Sequence, residues 1–407
     1  MPFKLTRPAI GKKQVSGKEK EALLKVQALP AGYFSELLDR ARVPPMGSVE
    51  ISSGQLRRMT VAQGSKISRR RFGSLAPVLD RLPWAGLLIG LVVGPALLVA
   101  TMSQFAFAQQ TSSKTTLITL GTQGGPVQNK YRAQPANVLL VNDVPYIIDA
   151  GSGIARQLAM AGVPLGRVSQ IFITHNHDDH NADVGTMMGL AWDVGRSAPI
   201  TVYGPKGTRD MMDGFLKYFA QSSDIRRADF PNFYKAMPEQ VFNVREIERA
   251  GTIHKDTNVQ VDALENCHFH FMSLAAAGNS KSFALRFKTP DKVIVFSGDT
   301  GPCEPLIDFA MGADILVHEV INLDLYEAVL KTRPYSPEQR QDVLRHMQED
   351  HATPDVIGKL AAKANVRMVV LSHIIPGAES DPESAYSGGV SAHYSGAVVV
   401  AKDLMRF

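Results

Sequence analysis

From residue 115 onward the chain places short apolar, β-rich runs between polar breaks at regular intervals. They are "TTLITL" (115–120), "NVLLVN" (137–142), "PYIID" (145–149), "IFIT" (171–174), "PITVY" (199–203), "VQVDAL" (259–264), "SFALRF" (282–287), "KVIVFS" (292–297), "DILVHE" (314–319) and "RMVVLSH" (367–373). Each reads as a strand. Helical patterns intervene at Ile154–Ala161, Thr208–Phe219 and Thr353–Ala364. Strands first, then strands mixed with helices, predict a layered α/β domain over residues 115–407. The charged segment 221–250, with Pro231 and Pro238, reads as an insertion over the surface. No internal repeat or low-complexity tract breaks the pattern.

The first hundred residues follow no such pattern. Residues 1–58 are polar and basic without a sustained apolar period, and read as a disordered leader. Met59 offers a second start, so the place of this leader in the native product depends on the start codon. Next come "SRRRFGSL" (68–75), the uncharged apolar stretch Leu82–Ala100, and Ala106-Phe107-Ala108. A basic segment, an apolar segment and a small-x-small site make residues 59–108 a secretory signal. The pair Arg69-Arg70 before Phe72 gives it a twin-arginine character, read by the export machinery. The expected location is the periplasm or outside the cell, with no stable membrane anchor after cleavage. A helix over 82–100, rising about 1.5 Å per residue, would just span a bilayer core, so an uncleaved anchor is the alternative.

Charge follows this division. The whole chain has 44 Lys/Arg against 39 Asp/Glu, net +5, but residues 1–108 hold 16 basic and only 6 acidic side chains, leaving −5 for the remainder. A negative domain is a poor generic binder of a polyanion, so nucleic acid is not the expected partner. The two cysteines, Cys267 and Cys303, are expected as buried free thiols; one disulfide is the alternative for an exported chain.

The chemistry concentrates in "IFITHNHDDHNAD" (171–183), which follows directly on a strand. Residues i and i+2 of extended chain point the same way, so His175 and His177 can share one ion. Asp179 and His180, where the chain turns toward a helix, point elsewhere and can serve a second. Imidazole and carboxylate donors suit zinc, and also iron or manganese.

This H-x-H-x-D-H motif after an apolar strand resembles the signature of the metallo-β-lactamase superfamily, whose fold is an αββα sandwich. The resemblance runs through residues 115–407. "LGTQGGP" (120–126) and "YIIDAGSG" (146–153) resemble its first motifs, in which Asp149 and the glycines shape a turn beside the metals without ligating them. "VDALENCH" ends at His268; "VIVFSGDT" carries Asp299; "LSHIIP" carries His373. The resemblance implies two divalent ions, zinc first. His175, His177 and His268 would hold one ion, Asp179, His180 and His373 the other, with Asp299 between them. In "CHFH", His268 and His270 would share a face, and the spacing favours His268.

"LVHEV" (316–320) and "DHATPDVIGKLAAKA" (350–364) resemble paired motifs of the branch that holds tRNase Z and the zinc-dependent arylsulfatases. There Glu319 and His351 would form a proton-relay pair at the leaving group, and Asp179 would orient the nucleophile, a hydroxide shared by the ions. His318 reads as a core histidine, and His254, His346 and His393 as surface or loop residues. The implied activity is hydrolysis of small exported esters: a sulfate ester, as in the arylsulfatase-like proteins, or a phosphodiester. A tRNase Z-like ribonuclease is the alternative. Behind it come a lactonase and an iron oxidoreductase of the same fold.

Overall fold

The structure, a computed structural model, describes residues 115–270 and 280–407. The leader and signal expected over residues 1–108 lie outside the described residues.

Two seven-stranded sheets face one another. The first contains β1 (Thr115–Gly121), β2 (Ala136–Val141), β3 (Val144–Ala150), β4 (Gln170–Phe172), β5 (Ile200–Pro205) and β6 (Phe242–Ile247) in that order, with β14 (Met405–Arg406) closing the edge beside β1. The second runs β13 (Ala397–Val400), β12 (Met368–Ile375), β11 (Ile315–Ile321), β10 (Val293–Phe296), β9 (Phe283–Lys288), β8 (Gln260–Glu265) and β7 (Gly251–Lys255). Strands β3 to β6 are parallel, as are β10 to β13; the other pairings are antiparallel.

Alternation along each strand explains the layers. In β3, Tyr146 and Ile148 enter the core between the sheets, while Ile147 faces the helices. In β10, Ile294 and Phe296 enter the same central core and Val295 faces the other helical layer. Both faces of the strands are buried, so they read as continuous apolar runs instead of alternating ones. Helices α1 (Ile154–Ala161), α2 (Asp178–Asn181), α3 (Val184–Asp193), α4 (Thr208–Asp229) and α5 (Pro238–Val241) come from the first half. Buried residues of α1, α3 and α4 cover the first sheet through Leu158, Met188, Trp192 and Phe219. Helices α6 (Pro305–Phe309), α7 (Leu323–Lys331), α8 (Pro337–Glu349), α9 (Pro354–Ala364) and α10 (Ser384–His393) come from the second half. Leu306, Ile357, Leu360 and Val390 of α6, α9 and α10 cover the second sheet. The result is an αββα sandwich.

Segment 221–250 is not a surface insertion. Its first part completes the 22-residue α4, and its last part is β6, paired in parallel with β5 from Ile200↔Phe242 to Pro205↔Ile247. Charged side chains misled the reading because β6 is an edge strand: Asn243 and Arg245 are exposed, while Phe242, Val244 and Ile247 are buried. Edge strands carry such charges as protection.

Phe172 joins the two sheets. Its ring stacks on Tyr203 (centroids 4.8 Å) and meets Phe287 of the opposite sheet edge-on (5.2 Å). Phe172→Ala is expected to cost about 3–5 kcal/mol, the usual range for emptying an aromatic core site. Urea unfolding of the variant checks this; a loss below about 1 kcal/mol would mean the central core does not depend on this contact.

Candidate metal centre

The titratable side chains gather where the parallel strands of both sheets end. His175 and His177 lie in the loop after β4, and His177 occupies the position just before α2, which presents Asp179 and His180. His268 follows β8, Asp299 follows β10, and His373 lies within β12. Gly298, with φ +60, turns the chain into Asp299; a Cβ there would meet the Phe283 carbonyl oxygen at 2.9 Å, so only glycine fits without a shift.

Two β-bulges aim key side chains. Ser372 and Ile374 pair with consecutive residues Glu319 and Val320, so His373 is the extra residue, at φ +45. Ile148 and Ala150 likewise pair with consecutive Asn137 and Ala136, leaving Asp149 out of register at φ +58. A bulged residue re-aims its side chain, and a left-handed φ costs a non-glycine residue energy that its surroundings must offset.

Ring nitrogens of His175, His177 and His268 lie within 4.8 Å of one another, as do atoms of Asp179, His180, Asp299 and His373. His175 Nε2 faces His177 Nδ1 at 3.1 Å, and His268 Nε2 faces the same Nδ1 at 3.3 Å. His180 Nε2 and His373 Nε2 stand 3.3 and 3.1 Å from Asp299 Oδ2. His373 Nε2 is also 3.3 Å from Asp179 Oδ2, which accepts the Gly125 N–H at 3.0 Å. The far side of most rings is fixed. His268 Nδ1 donates to the Asp350 carbonyl (3.0 Å), and His180 Nδ1 donates to Asp149 Oδ2 (2.9 Å). Asp149 itself accepts the Thr174 N–H at 2.8 Å. A ring that donates outward turns a bare nitrogen inward, the tautomer a metal ligand needs.

Electrostatics divides the cluster in two. Burial lowers the pKa of His175, His177 and His268, the last to about 3, so these rings are neutral. Burial opposes charge on His373 and His180 too. Asp299 and Asp179 outweigh it, holding His373 at about 10 and His180 well above its ordinary value. The two carboxylates pay burial in turn, yet His180 and His373 hold Asp179 at about 2 and Asp299 well below the usual range.

The donor set fits divalent cations. His180 Nε2 and Asp299 Oδ1 are buried without a hydrogen-bond partner among the described residues, an arrangement that costs energy without something to coordinate. In "CHFH", His268 is buried at the centre, whereas His270 is exposed.

Glu319 and His351 also meet. Glu319 Oε1 accepts the Thr300 and Ala352 N–H groups at 3.1 and 3.0 Å, and Oε2 accepts from His351 Nδ1 at 3.0 Å. Burial lowers the His351 pKa, but Glu319 reverses this and leaves it raised. The His351 ring lies parallel to His373 at 5.7 Å. His318 is buried within β11, as a core histidine should be.

Two readings need correction, those of the cysteines and of His254, and that of His346 is extended. Cys267 and Cys303 are not free thiols; they form a disulfide with Cα atoms 5.5 Å apart. They lie in the loops that follow β8 and β10, strands that flank β9, which brings together cysteines 36 residues apart in sequence. His346 does lie at the surface, its side chain 39% exposed on α8, but it is not idle there. It donates to Asp350 at 2.6 Å, and its ring stands 5.4 Å from His351. Its i, i+4 spacing to Asp350 on α8 was the available signal. His254 sits in β7, bonded to Tyr203 (2.9 Å) and Asp256 (3.1 Å). Sequence reasoning missed the Gly125 N–H and the Asp350 carbonyl, because backbone groups leave no trace in residue identity.

A family model described as Beta-lactamase superfamily domain matches residues 146–374. The chain belongs to the metallo-β-lactamase superfamily. Its curated relatives lie in the tRNase Z-like branch. Ribonuclease Z of Mycobacterium sp. (strain KMS) is 27% identical over 291 residues, 71% of this chain and 94% of that one. Ribonuclease Z of Mycobacterium bovis (strain BCG / Pasteur 1173P2) is 26% identical over 292 residues, covering 71% and 96%. Among solved structures, human tRNase Z, short form, aligns with TM-score 0.51 at 20% identity, covering 72% of this chain and 98% of that one. The metallo-beta-lactamase fold protein YhfI from Bacillus subtilis aligns with TM-score 0.50 at 18% identity, covering 72% and 98%. These structures speak for the fold. Family, relatives and donor set together make the chain a metal-dependent hydrolase acting on ester bonds.

Two outcomes are expected here. His268→Ala should lower the metal content measured by mass spectrometry, and His270→Ala should leave it; the reverse would reassign the ligand. Cys303→Ala should lower stability by about 2–4 kcal/mol without reductant, the typical value of one disulfide. Thiol titration of the unfolded, unreduced native chain should find none; two reactive thiols would return the pair to the free form.

Proposed function

We propose that the chain hydrolyses phosphodiester bonds at a dinuclear zinc centre, in the manner of its Ribonuclease Z relatives. The observation that carries this reading is the Glu319–His351 pair, held beside His373 at the edge of a complete donor set. His175, His177 and His268 would hold one ion, Asp179, His180 and His373 the second, and Asp299 would lie between them. Ions bound there supply an activated water and positive charge for the oxygens on which negative charge develops.

The chain's own residues do the rest. Asp179, anchored by the Gly125 N–H, is placed to orient the attacking water. His351 carries the proton for the departing oxygen. Its raised pKa keeps that proton available near neutrality, and Glu319 fixes which nitrogen bears it. Two backbone N–H groups hold Glu319 still, so the pair needs no rearrangement to act.

Charge argued against nucleic acid as a partner. The names of the relatives weigh the other way, and net charge describes a whole surface, not one groove. An oligonucleotide is therefore a substrate to test. A second reading, aryl sulfate hydrolysis, is favoured by the −5 charge of residues 109–407, which penalises a polyanion more than a small ester. Export belongs to the same proposal: a disulfide persists in an oxidising compartment, which agrees with the signal features around Arg69 and Arg70.

The test compares bis-p-nitrophenyl phosphate, p-nitrophenyl sulfate and an unprocessed tRNA with zinc-loaded protein. Turnover of the sulfate alone would overturn the reading. Asp299→Ala and His180→Ala should each remove at least one ion and most activity. His351→Ala should cost little on p-nitrophenyl esters, whose leaving group departs unaided, and roughly 10²–10⁴-fold on alkyl esters. Equal losses on both, with metal content unchanged, would show that His351 binds substrate instead.

A further inference from the structure

A cleft of about 240 Å³ opens beside the metal centre. Its floor is the loop 123–129 together with Ile375 and Pro376, which follow His373. The same loop supplies the Gly125 N–H that holds Asp179, so floor and centre share a wall. That floor is rigid. Gln123 Nε2 donates to the Gly124 carbonyl (2.8 Å) and the Pro376 carbonyl (3.0 Å), and Asn129 Nδ2 donates to Gln123 Oε1 (2.8 Å). A Cβ on Gly124 would meet Ile375 Cγ1 at 2.5 Å and His373 Nδ1 at 2.7 Å, so nothing larger than glycine keeps this approach.

The opposite wall belongs to the α7–α8 hairpin, whose residues no motif accounted for. Tyr326, Val329, Leu330, Arg333, Tyr335 and Met347 line it. Leu330 is buried, Tyr326 and Val329 are half-buried, and Arg333 and Tyr335 are exposed. The hairpin turn is fixed by Arg340, whose guanidinium donates to the carbonyls of Leu330 (3.1 Å), Arg333 (2.8 Å) and Tyr335 (3.2 Å). Three bonds from one side chain fix the backbone that carries Leu330, Arg333 and Tyr335 before any ligand arrives.

The lining combines aliphatic side chains, two phenols and a guanidinium with the amide side chains of Gln123, Gln128 and Asn129. A dry space of about 150 Å³ already accepts benzene. Phenol and guanidinium faces recognise flat π-systems, and their hydroxyl and N–H groups serve the polar edge of such a ring. We propose that this cleft is the subsite for an aromatic ring borne by the phosphate ester, an aryl group or a nucleobase. The proposal rests on the phosphodiesterase reading for the word ester, and on the cleft alone for the ring. Arg340 is a positioning residue for it.

The experiment measures binding, so it does not depend on turnover. Calorimetry on the full zinc-loaded chain compares phenylphosphonate with methylphosphonate, and thymidine 5′-monophosphate with deoxyribose 5-phosphate. In at least one pair the ring-bearing member should bind roughly 10- to 100-fold tighter, the span of a stacked ring. The pair that shows the preference identifies the source, aryl or base. Tyr326→Ala should reduce the preference severalfold, and Val329→Trp, which fills the cleft without hollowing the core, should abolish it. Tyr218→Ala, exposed on α4, should leave it intact. Equal binding within both pairs, or a preference that survives Val329→Trp, would overturn the proposal. Ring preference without turnover of bis-p-nitrophenyl phosphate would sink the activity and spare the cleft; turnover without ring preference would do the reverse.

Discussion

Two carboxylates, Asp179 and Asp299, are buried at the end of the sandwich, 4% and 2% exposed. An isolated buried charge is prohibitive, so such a pair persists only when cations and hydrogen bonds surround it. His180 and His373 answer that need among the protein groups, and divalent ions answer it better. The same constraint governs the outer ring of contacts. Asp149 binds the far side of His180, which pairs with the carboxylates, while the Asp350 carbonyl and Thr174 fix the neutral rings of His268 and His175. The wider architecture supplies these contacts from both sheets at once. The Phe283 N–H, in the second sheet, donates to the Thr174 carbonyl at the end of the first (3.0 Å), and Gly124 and Ile374 bond across the same gap.

This explains why the centre lies at one end of the strands and not in the middle. Parallel strands deliver loops to a common edge, and both sheets present that edge together. The two bulges then make corrections that a regular strand cannot. In an unbulged β12, His373 would lie in register with its neighbours and alternate with Ser372 across the sheet. As the extra residue, at φ +45, it reaches Asp179 and Asp299 instead. Among the described residues its Nδ1 has no hydrogen bond, and it stands 3.9 Å from Glu319. The strain and this unmet nitrogen are costs the fold tolerates only because the position is used.

Much of this was legible beforehand, for physical reasons that differ by element. The apolar runs of β1 to β5 and β9 to β12 mapped onto strands because most of their side chains are buried on both faces, whereas β8 showed alternation, with Val261 and Ala263 buried and Asp262 half-buried. Helix α1 was read to the residue because Gly153 and Gly162 bracket it with left-handed caps. Segments with mixed faces were lost: β6 and β7 at sheet edges, α8 with no buried residue, and the short β13 and β14. The residues of the centre stood out because histidine and aspartate are conspicuous at strand ends. The bulges, the Asp350 carbonyl and the Gly125 N–H did not, since they are properties of backbone geometry. The disulfide was undecidable, because its distance depends on the order of strands in a sheet.

The centre and its surroundings pose different questions of selectivity. A cluster of five histidines and two carboxylates fixes which bonds can be cleaved, and it would serve sulfate, phosphate or carboxylic esters with little distinction. Discrimination must come from what touches the rest of the substrate. Here that part of the chain is built separately: the α7–α8 hairpin lies between the motifs that carry Glu319 and His351, and it uses none of the strands that place the ligands. Its anchoring is nevertheless firm at both ends. Asn322 caps α7 and also donates to the Ala385 carbonyl (2.8 Å), and the Asp350 carbonyl at the end of α8 accepts from His268. A shift of the hairpin therefore reaches a ring of the centre through one hydrogen bond.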